Sequence, residues 1–174
     1  MNLPNKLTIA RVIAVPFFIA SYMMKWYLVA FVLFILASLT DMLDGKIARA
    51  RNLVTNFGKI MDPLADKILV YSALCLFVEN GTIPGWTLII ILAREFVVAG
   101  MRTVAASDGT VIAAGMSGKI KTVLQMIAVI ILIIAQGPLP QLEIIGMITF
   151  WASLIMTVYS GVEYVLKNKN VFSM

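Results

Sequence analysis

The residues best suited to chemistry crowd into one stretch, Asp41 to Lys67, which reads DMLDGKIARARNLVTNFGKIMDPLADK. It holds four aspartates, Asp41, Asp44, Asp62 and Asp66. On a helix Asp41 and Asp44 are i, i+3 neighbours, and Gly45 and Ala48 follow at i+4 and i+7, so the four share a face. Gly58, Asp62 and Asp66 repeat every four residues and form a second stripe. Four carboxylates brought together repel one another unless cations neutralise them. An oxygen-only donor set favours hard ions, so Mg²⁺ or Mn²⁺ is the natural choice. Four acids suit two such ions, the arrangement that clamps attacking and leaving oxygens in phosphoryl chemistry. Gly45, Ala48 and Gly58 leave room for a flat or bulky ligand to approach the backbone, and Arg49 is placed to meet a phosphate. The chain has no histidine, so catalysis near neutral pH must rest on carboxylates, hydroxyls and cations. The bland alternative is that the acids are interfacial and the small residues serve helix packing. It leaves the spacing of four acids unexplained, and ionisable residues inside a membrane are functional by default.

The elements that must position these residues follow from composition. The chain of 174 residues is 61% hydrophobic and 13% charged, about half the charge of a soluble domain. That excludes a soluble globule and predicts an all-α integral membrane bundle, a single domain over residues 1–174. Its one cysteine, Cys75, excludes an intrachain disulfide framework. Thr122 to Leu142 and Ile144 to Val162 are charge-free over a spanning length. Earlier apolar runs are shorter and need their flanking charges to span. Six transmembrane helices are expected, at about 5–24, 26–50, 58–79, 84–106, 117–137 and 141–165. Gly81, Pro84 and Gly85 break the chain after the third; Ser107-Asp108-Gly109 and Gly137, Pro138 and Pro140 mark the later turns. Pro16 is a candidate kink in the first helix. Lys6 and Arg11 before an apolar run resemble the start of a signal peptide, but no small-x-small cleavage site precedes a polar segment, so the run is read as helix one.

Depth arithmetic brings the acids together. At ~1.5 Å rise per residue, Asp41 lies ~22 Å from the outer start of helix two and Asp66 ~20 Å below the outer end of helix three. Both fall in one layer near the inner face of a ~30 Å core. Lysine and arginine set the orientation. Lys6, Lys46, Arg49, Arg51, Lys59, Arg102, Lys119, Lys121, Lys167 and Lys169 fall on one side, and Lys25, Glu79 and Glu143 on the other. This is a positive-inside pattern with both termini and the site on the cytoplasmic side. The net charge of +5 is accounted for by such loops, and no nucleic-acid partner is expected. Trp26, Tyr27 and Trp86 sit at outer helix ends as an aromatic belt requires; Trp151 does not and is assigned to packing.

These residues match a family motif in full, D-x2-D-G-x2-A-R-x8-G-x3-D-x3-D, at Asp41, Asp44, Gly45, Ala48, Arg49, Gly58, Asp62 and Asp66. The chain thereby resembles the CDP-alcohol phosphatidyltransferases. The resemblance implies a six-helix, metal-dependent, homodimeric membrane enzyme that moves a phosphatidyl group from CDP-diacylglycerol to an alcohol and releases CMP. It implies that Asp41, Asp44, Asp62 and Asp66 hold two divalent ions and that Asp66 is also the general base. Asp41, Asp44, Gly45, Ala48, Arg49 and Gly58 would bind the cytidine nucleotide, with Asn5 and Thr8 as further candidates whose alternative role is helix capping. The start NLPNKLTIARV and the block AREFVVAGMRTVAASDGTVIAAGMSGKIKTVLQ resemble those members whose acceptor is sn-glycerol 3-phosphate. A bacterial plasma membrane is the expected setting.

A phosphorylated acceptor needs cations that the shared motif does not supply. Arg94 lies ~15 Å along helix four from Pro84, at mid-bilayer, where an arginine is expensive unless it pairs or binds something. Arg102 is two turns further on nearly the same face, Lys119 and Lys121 sit at the inner end of helix five, and Arg11 lies inside helix one. Together they are candidates for a phosphate pocket. The alternatives are a pair between Arg94 and a buried acid (Glu95 is adjacent but on another face), lipid anchoring for Lys119 and Lys121, and snorkelling for Arg11. Serine, choline, inositol phosphate and phosphatidylglycerol are the competing acceptors. A divalent-cation transporter would need polar groups through the whole depth, which helices five and six lack, and a non-catalytic scaffold leaves the acids without a purpose.

Overall fold

Apolar runs punctuated by turn residues fold here as six α-helices, with no strand among the described residues. The computed structural model describes residues 3–50, 56–107, 109, 112–113 and 115–169; the side chains of residues 3–6, 41–50, 56–63 and 66 lie outside that description. Helix α1 spans Leu3–Met23, α2 Tyr27–Ala50, α3 Asn56–Glu79, α4 Gly85–Ser107, α5 Met116–Ala135 and α6 Glu143–Lys167. Each end lies within two residues of the expected one. Pro16 sits inside α1 and the helix continues through it.

Local chemistry explains where the helices stop. At the end of α1 the N–H of Trp26 donates to the Ser21 carbonyl and that of Lys25 to Tyr22, each at 2.9 Å. This is the double closure that ordinarily uses a glycine, yet Lys25 takes the left-handed position, at φ 62°. The α3–α4 turn has a glycine there, Gly81 at φ 78°. Asn80 organises that turn: its Oδ1 accepts from the Thr82 N–H (3.1 Å) and hydroxyl (2.6 Å), and its Nδ2 donates to the Tyr22 hydroxyl at 2.7 Å. Gln136 Nε2, just past α5, donates to Thr82 Oγ1 at 3.1 Å. The ends of α1, α3 and α5 are thus tied by uncharged polar groups.

The core runs along the axis of the bundle. Phe18, Phe34, Leu74, Phe77, Leu132 and Phe150, from five of the helices, are buried in one cluster. Helix α1 packs against α2 and α3, α4 against α6, and the α5–α6 pair is the most extensive interface. Gly146 makes that last pair possible: a Cβ there would stand 2.7 Å from Leu132 Cδ2. Small residues let membrane helices approach in this way. Helix α5 and the stretch Pro140–Lys167 are each long and apolar enough to cross a membrane, and Leu7–Met23 and Tyr27–Thr40 are shorter apolar segments. Large apolar side chains such as Ile144, Phe96 and Ile155 point outward, each about 70% exposed. Trp151 packs its ring 5.7 Å from that of Trp86, joining α6 to α4.

Candidate active site

The end of the bundle opposite the Asn80 network gathers the charges. Helix α2 carries Asp41, Asp44, Gly45, Ala48 and Arg49 in its last three turns, and α3 carries Gly58, Asp62 and Asp66 in its first three. Helices α2 and α3 pack against each other. The side chains of all eight lie outside the described residues, as does that of Asn5. Among the described residues no group of three acids, histidines or cysteines offers another metal site. The donor set on α2 and α3 is oxygen only, the chemistry that suits Mg²⁺ or Mn²⁺.

Further along α3, at Leu64 and Lys67, a cavity of about 1060 Å³ opens. Its wall takes Leu64 and Lys67 from α3, Arg94, Glu95 and Arg102 from α4, Lys119 from α5, and Glu163, Tyr164 and Lys167 from α6. Five of these are cations and two are carboxylates, so the cavity suits an anion. It therefore unites three of the expected phosphate-binding cations, Arg94, Arg102 and Lys119.

Glu95 organises the wall. Its carboxylate lies 2.9 Å from Lys67 Nζ, 2.9 Å from Arg94 Nη1 and 2.8 Å from Lys121 Nζ. One acid thus joins α3, α4 and α5. Lys121, another expected phosphate contact, is buried behind the wall with Glu95 as its partner. Arg94 is seated against glycines of two helices: a Cβ at Gly118 of α5 would stand 3.0 Å from Arg94 Nη2, and one at Gly161 of α6 would stand 3.0 Å from Arg94 Cγ. The Nε of Arg94 is buried with no hydrogen-bond partner among the described residues. Arg94 does pair with its neighbour Glu95, yet still lines the cavity with donors to spare.

The remaining cations fall in two groups. Lys167 Nζ donates to Glu163 Oε1 at 2.6 Å, and Ser117 Oγ donates to the other oxygen of Glu163. Arg102 Nε donates to the Tyr164 hydroxyl at 3.3 Å, with its guanidinium carbon 5.6 Å from the ring centroid. Lys119 has no carboxylate partner among the described residues. Arg11 and Thr8 lie elsewhere. Both are buried on α1, the helix that packs against α2 and α3, and neither lines the cavity.

Sequence reasoning passed over Lys67, Glu163, Ser117 and Tyr164, and set Glu95 aside as an adjacent acid on another face. A signal existed for Glu95: an acid at membrane depth must find partners, and Lys67 and Lys121 on neighbouring helices were available beside Arg94 on its own. Tyr164 gave none, because its contact with Arg102 spans 62 residues of sequence.

The family model for CDP-alcohol phosphatidyltransferase matches residues 1–159. A Bacillus subtilis protein named CDP-diacylglycerol–glycerol-3-phosphate 3-phosphatidyltransferase is 43% identical over 183 residues, covering 96% of this chain and 95% of its own. One of the same name from Rickettsia felis is 38% identical, covering 98% and 97%. A Mycobacterium tuberculosis protein named probable phosphatidylglycerophosphate synthase is 35% identical, covering 95% and 81%.

Proposed function

This chain belongs to the CDP-alcohol phosphatidyltransferase family and is a transferase, and on that premise we propose that it moves the phosphatidyl group of CDP-diacylglycerol to sn-glycerol 3-phosphate, yielding phosphatidylglycerol phosphate and CMP. The observation that carries the choice of acceptor is the cation-rich cavity. It begins at Leu64 and Lys67, the residues that flank Ala65 and Asp66 on α3, so an anionic alcohol held there adjoins the motif. The names of the near-full-length relatives agree with this acceptor.

In this reading Gly45, Ala48, Arg49 and Gly58 seat the cytidine and diphosphate, with Thr8 and Asn5 of α1 on the same side of the bundle. Arg94, Arg102 and Lys119 receive the acceptor's phosphate, and Glu95 and Lys121 brace Arg94 from behind. Arg11 belongs with the α1–α2–α3 side by position and is the weakest of the acceptor candidates. The four aspartates would hold two divalent ions, Mg²⁺ or Mn²⁺, which neutralise the acids and draw charge from the diphosphate when bound. Asp66 takes the proton of the acceptor hydroxyl as its oxygen bonds to the phosphatidyl phosphorus. The bond from that phosphorus to the bridging oxygen breaks, and the electron pair leaves with CMP. An aspartate is a weak base at its ordinary pKa, so position must assist it. Binding the acceptor's anion beside Asp66 does so by holding the hydroxyl in reach.

We extend the proposal to the setting: six membrane crossings, both termini and the cavity on the cytoplasmic face of a bacterial plasma membrane, and a homodimer. The separation of a cation-rich end from an end whose charges are Lys25, Glu79 and Glu143 supports that orientation. The test is an acceptor panel. Purified protein with CDP-diacylglycerol and Mg²⁺ is offered glycerol 3-phosphate, inositol phosphate, serine, choline or phosphatidylglycerol, one at a time. Product with glycerol 3-phosphate is expected; product with another alcohol alone would overturn the choice.

A further inference from the structure

The cations of the cavity wall differ in how they are already engaged. Lys67 and Arg94 share the Glu95 carboxylate, and Lys167 pairs with Glu163. Arg102 and Lys119 have no carboxylate partner among the described residues. Of these two, among the described residues, only Arg102 is held by something else, and that is an aromatic ring. Its Nε meets the Tyr164 hydroxyl at 3.3 Å and its guanidinium lies over the ring, 5.6 Å from the centroid.

Tyr164 is itself fixed. It is 7% exposed and packs with Val98 and Met101 of α4, one turn before and one residue before Arg102. The ring of α6 is therefore wedged against the helix that carries the arginine. A long arginine on an open wall samples many rotamers, and binding must freeze them. A ring and hydroxyl that engage Nε and one face of the guanidinium select a rotamer in advance. They leave the two terminal nitrogens, the fork that matches a phosphate, without a hydrogen-bond partner among the described residues. A carboxylate in the same place would cancel the charge the ligand needs; a ring does not. The matched family segment ends at residue 159, so Tyr164 lies beyond it.

We propose that Tyr164 is a positioning residue that holds Arg102 ready for the phosphate of the acceptor alcohol. The proposal rests on the reading of the cavity as the acceptor site. It is tested by steady-state kinetics on the purified full-length chain in lipid, varying glycerol 3-phosphate and CDP-diacylglycerol separately. The variants are Tyr164→Leu, Tyr164→Phe, Arg102→Gln and the double variants Arg102→Gln/Tyr164→Leu and Arg102→Gln/Tyr164→Phe. Tyr164→Leu is expected to raise KM for glycerol 3-phosphate about threefold to tenfold, the cost of freezing one rotamer-rich side chain on binding. KM for CDP-diacylglycerol and kcat should stay within about twofold, because the loss is in acceptor binding. Tyr164→Phe keeps the ring and should recover most of the effect. In the Arg102→Gln background Tyr164→Leu should add nothing.

A fall in kcat with both KM values unchanged, or full additivity of Tyr164→Leu and Arg102→Gln, would overturn the proposal. If Tyr164→Leu fails to fold, Tyr164→Phe decides: it should give a smaller rise in the same KM that vanishes beside Arg102→Gln, and an unchanged KM would overturn the role. A raised KM in Arg102→Gln with none in Tyr164→Leu sinks Tyr164 and leaves the acceptor site standing. Turnover of another alcohol but not of glycerol 3-phosphate sinks both.

Discussion

Glu95→Gln removes one charge and little volume, and the structure sets what that costs. The carboxylate serves Lys67, Arg94 and Lys121 at 2.8–2.9 Å. Lys67 has a side chain 39% exposed and can turn to water in the cavity. Lys121, at 4%, cannot. Breaking a buried pair by removing one partner costs about 3–5 kcal/mol, because the surviving charge is stranded. The amide oxygen of Gln can still accept one bond, which recovers about 1 kcal/mol. A net loss of about 2–4 kcal/mol follows, and for a chain of this length it should lower the unfolding midpoint by about 5–15 °C. The assay is thermal unfolding of the purified protein in one detergent, with Lys121→Met added as the control that removes the stranded ammonium. Glu95→Gln/Lys121→Met should regain more than half of the loss, since an apolar side chain of similar volume replaces an unpaired charge. A midpoint for Glu95→Gln equal to that of the parent would refute the reasoning. So would a double variant no more stable than Glu95→Gln alone, because then the stranded lysine is not the cause.

Further expectations follow from the same geometry. Asp66→Asn should cut CMP release by about 100-fold or more, the scale of a lost general base, with the unfolding midpoint unchanged; undiminished release would remove Asp66 from that role. EDTA should abolish CMP release and Mg²⁺ or Mn²⁺ should restore it, whereas activity that persists through chelation contradicts the four-aspartate metal site. Gly161→Ala places a methyl 3.0 Å from Arg94 Cγ, the stem rather than the free end of the side chain. The arginine stem must give by a few tenths of an ångström, and KM for glycerol 3-phosphate should rise with a stability loss of about 1–3 kcal/mol typical of overpacking; an unchanged KM would show that Arg94 does not depend on that slot.

Much of the bundle is legible along the chain because its helices end on residues with strong local preferences. Gly81 and Pro84 close α3 and open α4, and Gly137, Pro138 and Pro140 separate α5 from α6. The α1–α2 turn is less legible, since Lys25 takes a left-handed conformation usually left to glycine. Nothing in the residue itself announces that; the reversal is set by the Trp26–Ser21 and Lys25–Tyr22 hydrogen bonds. The motif on α2 and α3 is readable because its acids repeat at helical spacing within 26 residues. The cavity is not, because its wall is assembled from four helices. Arg94 and Glu95 are successive residues, which helical geometry ordinarily turns apart. They meet because Gly118 and Gly161 confine the arginine and because Lys67 and Lys121 converge on the same acid. Arg102 is visible as a cation near the inner helix end, but its orientation is decided by a tyrosine on another helix.

The most direct test of the central claim follows both products of one reaction. Purified protein is given CDP-diacylglycerol, Mg²⁺ and glycerol 3-phosphate labelled in its glycerol carbons, and CMP release and label in the lipid phase are measured together. One labelled lipid, phosphatidylglycerol phosphate, should form for each CMP released. CMP release without label in lipid, or no release until a different alcohol is supplied, would contradict the proposed function.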